Sequence, residues 1–364
     1  DLFHKIIQDP NNRQETKENI NDRFRMDEYS EDPNTISLYP AELYDEDLTP
    51  DIGVEIDEKC TEIYESTKGW GTSEKRLIEA MGSTTGEERK YISLRYEEMY
   101  EKELKKLIRS ECGSNNFGEA LQYLSLGPIE TECRMLKKAV DGLGADKVML
   151  YSILCGRSNA DMELLKKTYY KQYSDDLVSR VGGEVGGDME KILLSAVQAA
   201  EEEFDPDYHT EDKAKEDAEE LYKAGQGRWG TNEAKMAKIV VLSPPKYLKI
   251  VNSIYADEYG YTLFKAFEEE MGSLAGEAAL FTLGMKLKPY ETIAKLIKKA
   301  CAGFGTNELL LTCTLIRYQD LMGHVCVAHE ELFEKSVHER VKDESGGNYE
   351  KLLLALLNKV APLE

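Results

Sequence analysis

The chain has few of the residues and motifs on which catalysis or side-chain metal clusters depend. Its 364 residues include only five histidines, and no H-E-x-x-H, G-x-S-x-G or G-x-x-x-x-G-K-[ST] motif occurs, so we expect no enzymatic activity. The seven cysteines are irregularly spaced and form no C-x-x-C pair, which argues against a disulfide framework and a zinc site. The D-x-[DN]-x-[DN]-G loop of an EF-hand is also missing.

Positive charge is in short supply. There are 46 Lys and Arg against 69 Asp and Glu, which gives a net charge of −23. Such a chain is repelled by nucleic acid and by anionic membranes, so nucleic acid is not an expected partner, and a membrane contact needs a cation between the two surfaces. No run of 18 apolar residues predicts a transmembrane helix, and the stretch DLFHKIIQDPNNRQ at the printed start lacks the pattern of a signal peptide.

Two short sequence patterns each occur four times. The first reads KGWGTSE at 68–74, DGLGADK at 141–147, GRWGTNE at 227–233 and AGFGTNE at 302–308. The second reads RSECGSNNF, GGEVGGDME, EEEMGSLAG and KDESGGNYE, and its acids are Glu111, Glu184, Glu270 and Glu344. From the second glycine of the first pattern to the acid, the separations are 40, 40, 40 and 39 residues. This constancy indicates four structural repeats.

Apolar residues within the repeats recur at helical spacing. Ile129, Cys133, Leu136 and Val140 step by four, three and four, and alternating strand patterns are absent. We therefore predict an all-α fold with about five short helices in each ~70-residue repeat. The predicted units are a loosely ordered N-terminal arm at 1–52 with a helix near 13–26, repeats at 53–126, 127–199, 213–286 and 287–364, and an acidic linker at 200–212.

A Gly-x-Gly sequence at the end of a helix can expose oxygen atoms. The last carbonyls of a helix have no partner within it and carry the negative end of the helix dipole. Glycine permits the left-handed turn that directs such carbonyls outward, and calcium takes six to eight oxygen ligands, including carbonyls and bidentate carboxylates. A single Gly-x-Gly is usually only a helix stop, but four copies paired with four acids predict calcium sites that a lipid phosphate completes.

The residue between the two glycines is large and apolar in every copy. These residues, Trp70, Leu143, Trp229 and Phe304, include the only two tryptophans of the chain. A tryptophan after a glycine is often packed in a core, whereas four large apolar residues at loop tips favour insertion at the bilayer interface. We therefore predict that these four side chains contact the membrane.

These motifs resemble those of the annexin family, over about residues 53–360. The resemblance implies a curved disc of four five-helix repeats, with Ca²⁺ loops on the convex face that meets anionic phospholipid. Carried over residue by residue, the implied ligands are Thr67, Gly69, Gly71 and Glu111 in repeat one, Val140, Gly142, Gly144 and Glu184 in repeat two, Gly225, Arg228, Gly230 and Glu270 in the variant third loop, and Cys301, Gly303, Gly305 and Glu344 in repeat four.

The sequence departs from the family pattern at several positions. Annexins often have an arginine at the end of the second helix of each repeat, where repeats two and four have Arg157 and Arg317 but repeats one and three have Thr84 and Ser243. The local polar networks of repeats one and three are therefore in question. Loop two also has an alanine in place of the usual threonine, and in repeat four either Glu344 or the adjacent aspartate is a candidate ligand.

The predicted function is calcium-dependent binding to acidic phospholipid membranes, as a peripheral organiser or scaffold. The alternative is a cytoskeletal or structural scaffold of the same fold with reduced calcium dependence. A protein partner of the N-terminal arm and lateral self-association on the membrane both stay open. The expected location is the cytoplasm, with the protein peripheral on membranes when calcium rises. The cell surface is a second location to consider, because some annexins occur outside cells although the family lacks signal peptides.

Overall fold

The computed structural model of this protein describes residues 36–39, 43, 53–69, 71–141, 144–225, 233–270, 272–303 and 305–359, without the side chains of residues 233, 234 and 270. Over these ranges the regular structure is helical, with twenty α-helices and a 3-10 turn at Gln319–Leu321. The all-α prediction is confirmed. None of the helices in this part of the chain has the length and apolar character needed to cross a lipid bilayer.

Five helices lie in each predicted repeat. Repeat one contains α1 (Val54–Thr67), α2 (Glu74–Gly82), α3 (Gly86–Tyr100), α4 (Leu104–Cys112) and α5 (Asn116–Leu124). Repeat two contains α6 (Pro128–Val140), α7 (Lys147–Leu154), α8 (Asn159–Tyr173), α9 (Leu177–Glu184) and α10 (Gly187–Val197). The predicted arm helix near 13–26 lies outside the described residues.

The same order of helices recurs in the second half of the chain. Repeat three contains α11 (Glu211–Gly225), α12 (Glu233–Leu242), α13 (Pro245–Tyr259), α14 (Leu263–Glu270) and α15 (Leu274–Leu287). Repeat four contains α16 (Pro289–Ala300), α17 (Glu308–Arg317), α18 (Met322–Phe333), α19 (Val337–Glu344) and α20 (Gly347–Asn358). Helix α11 begins inside the segment predicted as the acidic linker.

Local sequence signals account for the helix ends. Thr85 forms a capping box with Glu88 at the start of α3, and the side chains of Ser158 and Asp176 accept backbone N–H bonds at the starts of α8 and α9. Each such cap satisfies donors that the first helical turn leaves free. The apolar stripes face inward as predicted: the buried residues include Ile129, Cys133, Leu136 and Val140 on α6 and Leu352, Leu353, Leu356 and Leu357 on α20.

The repeats pack in two pairs. Helices α2 and α5 of repeat one pack against α17 and α20 of repeat four, whereas α7 and α10 of repeat two pack against α12 and α15 of repeat three. The backbones approach closely at both interfaces: a Cβ on Gly82 would lie 2.7 Å from Ala355 Cβ, and one on Gly156 would lie 2.4 Å from Met285 Cβ. Repeat one thus shares a core with repeat four, the most distant in sequence.

A buried ionic cluster joins repeats two and four. The Glu132 carboxylate on α6 accepts hydrogen bonds from Arg157 Nη2 (2.6 Å) and Arg317 Nε (2.5 Å). Arg317 also donates to the backbone carbonyls of Ser152 and Ile153. Tyr39, from the arm, donates to the same carboxylate at 2.6 Å and is itself buried. The two arginines expected at helix ends therefore share one acid, and the arm closes the cluster.

Repeats one and three supply the missing cations from other helices. Arg89 on α3 donates to the Thr84 carbonyl at 3.0 Å and to Gln319 at 2.8 Å. Lys286 on α15 donates to the carbonyls of Val240, Val241 and Ser243 at 2.8–2.9 Å. Both cations are buried, and each binds the carbonyl of the residue that stands where the family pattern has arginine.

Candidate calcium loops

Three of the four glycine loops are described in large part, and all three are closed by an equivalent backbone hydrogen bond. In loops one, two and four the donor lies seven residues after the acceptor: Ser73 N to Ser66 O (2.7 Å), Asp146 N to Ala139 O (2.8 Å) and Asn307 N to Ala300 O (2.8 Å). Each bond fixes the distance between the helix that ends and the helix that follows. The described parts of the three loops therefore share the same closure.

The glycines of these loops have left-handed backbone conformations. Their φ angles are +102° at Gly69, +87° at Gly71, +98° at Gly144, +103° at Gly303 and +98° at Gly305. A Cβ at any of the five would meet nothing within 4 Å. Backbone conformation, rather than lack of space, therefore requires glycine here, in accord with a turn that directs helix-end carbonyls away from the helix.

The distant acid meets the loop in repeats one and four. The hydroxyl of Thr72 donates to Glu111 Oε2 at 2.8 Å, and the hydroxyl of Thr306 donates to Glu344 Oε2 at 2.7 Å. The carboxylates of Glu111 and Glu344 are thus held against loops 38 or 39 residues earlier in the chain. In these two repeats the glycine loop and the acid of the sequence pattern are therefore in direct contact.

The two acids in repeat four point in different directions. Glu344 contacts the loop, and Thr306 also donates to its backbone carbonyl at 3.1 Å. Asp343 instead pairs with Lys335, and its side chain is 62% exposed. This hydrogen bond lowers the pKa of Asp343 below its usual value, so the carboxylate stays ionised. Of the two acids, only Glu344 contacts the loop.

Loop two holds its acid differently. Position 145 is alanine, so no hydroxyl is available to bind the carboxylate. Arg180, one helical turn before the acid on α9, places Nη2 at 3.1 Å from Glu184 Oε1 and at 3.4 Å from the Val140 carbonyl oxygen. Both of these oxygen-bearing groups belong to the ligand set predicted for loop two.

Most of the remaining predicted site residues lie outside the described part of the chain. This applies to all four membrane-contact residues, Trp70, Leu143, Trp229 and Phe304, and to Gly142, Arg228, Gly230 and the side chain of Glu270. Gly225 is the last residue of α11 and is buried. Site three and the membrane contacts therefore stay predictions.

Two polar contributors to the sites were not among the predicted ligands. The threonine after the second glycine positions the acid in loops one and four, and its signal in the sequence was the recurring G-T of three of the four loops. Arg180 had no comparable signal, because its position four residues before an acid also suits an ordinary i,i+4 helical ion pair.

The donors in loops one and four fit calcium. The donors predicted for each of these loops are one carboxylate and backbone carbonyls, all hard oxygen atoms of the kind that calcium prefers. Within the described ranges, no three His, Cys, Asp or Glu side chains come together in a way that suits a metal ion. A cation in these loops would accordingly be held mainly by the backbone.

The thiols beside the two loops are unreactive. Cys112 follows the acid of repeat one, and Cys301 follows the last residue of α16. Burial, assisted by nearby carboxylates, raises the pKa of each thiol to about 11. Both thiols are therefore protonated at neutral pH, and since the thiolate is the reactive form, burial lowers their reactivity. They therefore neither add charge to the loops nor compete with the oxygen donors.

The sequence of this chain is similar to that of a known protein family. The family model described as Annexin matches residues 58–124 and 131–196. Annexin A13 of Mus musculus is 34% identical over 310 residues, covering 84% of this chain and 96% of the relative. Annexin A13 of Homo sapiens is 32% identical over 308 residues, with coverages of 84% and 96%.

Solved structures are similar over most of the chain. Annexin III has a TM-score of 0.76 and 25% sequence identity, covering 90% of this chain and 97% of its own. The structure of calcium-bound annexin (Sm)1 has a TM-score of 0.72 and 25% identity, covering 86% of this chain and 93% of its own. Both structures share the helical fold of this chain over most of its length.

Proposed function

Because this chain belongs to the annexin family, whose members in general bind acidic phospholipid membranes with calcium, we propose that it does so through loops one and four. The observation that carries the proposal is the contact between a left-handed glycine loop and a distant carboxylate, held by Thr72 in repeat one and by Thr306 in repeat four. Each arrangement offers clustered oxygen donors at the negative end of a helix.

In loop one we propose the carbonyls of Thr67, Gly69 and Gly71 as ligands together with the Glu111 carboxylate. In loop four the corresponding ligands are Cys301, Gly303, Gly305 and Glu344. Calcium bound there supplies the positive charge that links the loop to a lipid phosphate. The chain's net charge of −23 opposes contact with an anionic surface in the absence of the cation. The membrane contact therefore depends on calcium.

Sedimentation with vesicles tests this proposal. Vesicles of phosphatidylserine and phosphatidylcholine are mixed with the full chain in calcium or in a chelator, and the pellet and supernatant are compared. We expect most of the protein in the pellet with calcium, release by the chelator, and no pelleting with phosphatidylcholine alone. Equal pelleting with and without calcium would contradict the mechanism and favour a scaffold with reduced calcium dependence.

The two tryptophans report on the membrane contact. We propose that Trp70 and Trp229 enter the bilayer interface, where the indole ring is favoured. Their fluorescence is therefore expected to shift to shorter wavelength and gain intensity when vesicles are added with calcium. Variants with Trp70→Leu or Trp229→Leu separate the two signals, and calcium without vesicles is the control. A spectrum unchanged by vesicle binding would remove the tryptophans from the interface.

The proposed location follows from the same mechanism. The protein would be peripheral on anionic membranes when calcium is raised and would leave them when calcium falls. A protein partner of the arm and lateral association on the membrane remain proposals without a specific contact in the described residues to favour them. Binding, rather than catalysis, is the activity that we assign.

A further inference from the structure

Loop two differs from loops one and four in the group that holds its acid. In loops one and four a threonine hydroxyl donates to the carboxylate, at 2.8 and 2.7 Å. Loop two has Ala145 at the equivalent position, and Glu184 is held by the guanidinium of Arg180 at 3.1 Å. A neutral donor has thus been replaced by a positive charge.

The same guanidinium nitrogen contacts further oxygens of the loop. Arg180 Nη2 lies 3.4 Å from the Val140 carbonyl oxygen and 3.4 Å from Asp141 Oδ1, in addition to Glu184. One cationic group is therefore in contact with a helix-end carbonyl and with two carboxylates. Arginine is charged at every physiological pH, and a cation is stabilised at a helix C-terminus. Lys137 adds a second positive charge at 3.0 Å from Asp141 Oδ1.

We propose that Arg180 is the resident cation of loop two and excludes calcium from it. This inference rests on the proposed calcium binding by loops one and four. The carbonyl of Val140 and the carboxylate of Glu184 are half of the ligand set predicted for this loop, and both already contact Arg180. For calcium to bind these groups, the guanidinium would have to give up both contacts, and its charge would still repel a divalent ion from nearby.

Repeat four shows how an arginine at the same position is kept away from its acid. Arg340, four residues before Glu344, is buried and donates through Nε to His329 Nε2 at 2.9 Å. The other ring nitrogen, Nδ1, lies 2.7 Å from the Lys335 carbonyl oxygen. Since burial lowers the pKa of His329 to about 4, the ring is neutral at pH 7 and accepts the bond from Arg340.

Repeat two lacks this histidine. The residue five positions before the left-handed helix end is His329 in repeat four and Tyr169 in repeat two, where the helix ends are Glu334 and Ser174. The Tyr169 hydroxyl and the Nε of Arg180 are both buried and have no hydrogen-bond partner within the described part of the chain. Arg180 is therefore not anchored inside the repeat as Arg340 is, and its terminal nitrogen reaches the loop.

The experiment counts the calcium ions bound by the full chain. Equilibrium dialysis is performed with calcium and phosphatidylserine vesicles on wild type and on the variant Glu184→Gln. We expect Glu184→Gln to leave the number of bound ions unchanged, because Arg180 already excludes calcium. In the double variant Arg180→Leu, Ala145→Thr, which copies Leu107 and Thr72 of repeat one, we expect one additional ion, and adding Glu184→Gln should remove it again.

Arg95→Leu is the matched control. Arg95 has a similarly exposed side chain and pairs with two carboxylates, those of Asp57 and Glu98, neither of which belongs to a loop, so its removal should leave the ion count unchanged. Loss of one ion on Glu184→Gln in the wild type would overturn the proposal, as would an unchanged count in a folded Arg180→Leu, Ala145→Thr chain. Circular dichroism establishes folding first, and if the double variant does not fold, the comparison in the wild type alone decides.

The two proposals fail in different ways. If Glu111→Gln leaves the ion count unchanged, the proposed calcium binding by loop one is wrong, whatever happens at loop two. If Glu111→Gln removes one ion and Glu184→Gln removes another, loop one binds as proposed and only the role of Arg180 is refuted. Loss of an ion with Glu111→Gln and not with Glu184→Gln supports both.

Discussion

Replacing Glu132 by glutamine is expected to lower the free energy of unfolding by about 3–5 kcal/mol, the largest effect on stability that we predict. The carboxylate is 3% exposed and is the shared acceptor for Arg157, Arg317 and Tyr39. Removing its charge takes from two buried guanidinium groups the one carboxylate that both of them contact. Urea unfolding at pH 7, followed by circular dichroism, measures the difference.

The control for this variant is Glu62→Gln, which removes an acid from an exposed pair with Arg76. Such pairs contribute about 0–1 kcal/mol, so a loss as large as that of Glu132→Gln would mean that charge deletion in general, rather than burial, causes the effect.

The effect of Glu132→Gln should depend on pH. Burial raises the pKa of Glu132, but Arg157 and Arg317 outweigh burial, so the pKa in the folded state lies below the ordinary value of 4.5. A lowered pKa means that the stabilisation is fully present above the unfolded-state pKa and is lost as the pH falls through the folded-state pKa. The stability difference between wild type and Glu132→Gln should therefore be constant near neutral pH and shrink below about pH 4.5. A difference that grew on acidification would contradict this assignment.

Combining Glu111→Gln with Glu344→Gln is expected to raise the calcium concentration needed for half-maximal vesicle binding by at least about tenfold, because even a lost second-shell partner costs 10–100-fold in metal affinity. Each acid is the only charged group among the four ligands proposed for its loop. Both amides keep an oxygen that can accept the bond from Thr72 or Thr306. Vesicle sedimentation across a calcium titration measures the shift.

The neighbouring aspartate offers a matched control. Asp343→Asn removes one negative charge next to Glu344 but breaks only the exposed pair with Lys335. We expect it to leave the calcium requirement nearly unchanged, and we expect thermal unfolding in chelator to be the same for all of these variants within about 1 kcal/mol. If Asp343→Asn shifts the titration as much as Glu344→Gln alone, the ligand of loop four is Asp343.

The features that were predictable from sequence are those that a short segment determines. The helix stripe from Ile129 to Val140 is buried as its spacing predicts, because an α-helix places residues three and four apart on one face. The loop-to-acid pattern was also visible, since its two parts recur at fixed separation. The hydrogen bonds of Glu111 and Glu344 to their loops show that the two parts of the pattern are in contact in the folded chain.

The cations that take the place of the family's arginine in repeats one and three could not be predicted in the same way. Thr84 and Ser243 stand where the family pattern has arginine, and the cations that bind their carbonyls are Arg89 and Lys286. Lys286 comes from a helix 43 residues away, and no local pattern specifies which lysine of a charged chain is buried. We attribute the direction of Arg180 to a residue on the preceding helix, 11 positions earlier, which is tyrosine in repeat two and histidine in repeat four.

The arm was predicted to be loosely ordered, and its described residues make contacts that composition did not indicate. Leu38 donates its backbone N–H to Asp161 Oδ2 at 2.8 Å, and Tyr39 lies over the Arg157 guanidinium at 5.3 Å. A polar, proline-containing segment offers no periodicity from which such a docking can be inferred. This docking of the arm can be recognised only from the folded structure, in which Glu132 and Arg157 lie side by side.

The pairing of the first repeat with the last has a consequence for biosynthesis. Gly82 on α2 and Ala355 on α20 pack closely, yet 273 residues separate them in the chain. At 5–20 residues per second, a ribosome takes roughly 14–55 s to cover that interval. Repeats two and three are adjacent and can pair during synthesis, whereas the apolar face of repeat one can be covered only after α20 has been synthesised. The apolar face of repeat one therefore stays uncovered on the nascent chain for the whole time in which repeats two, three and four are synthesised.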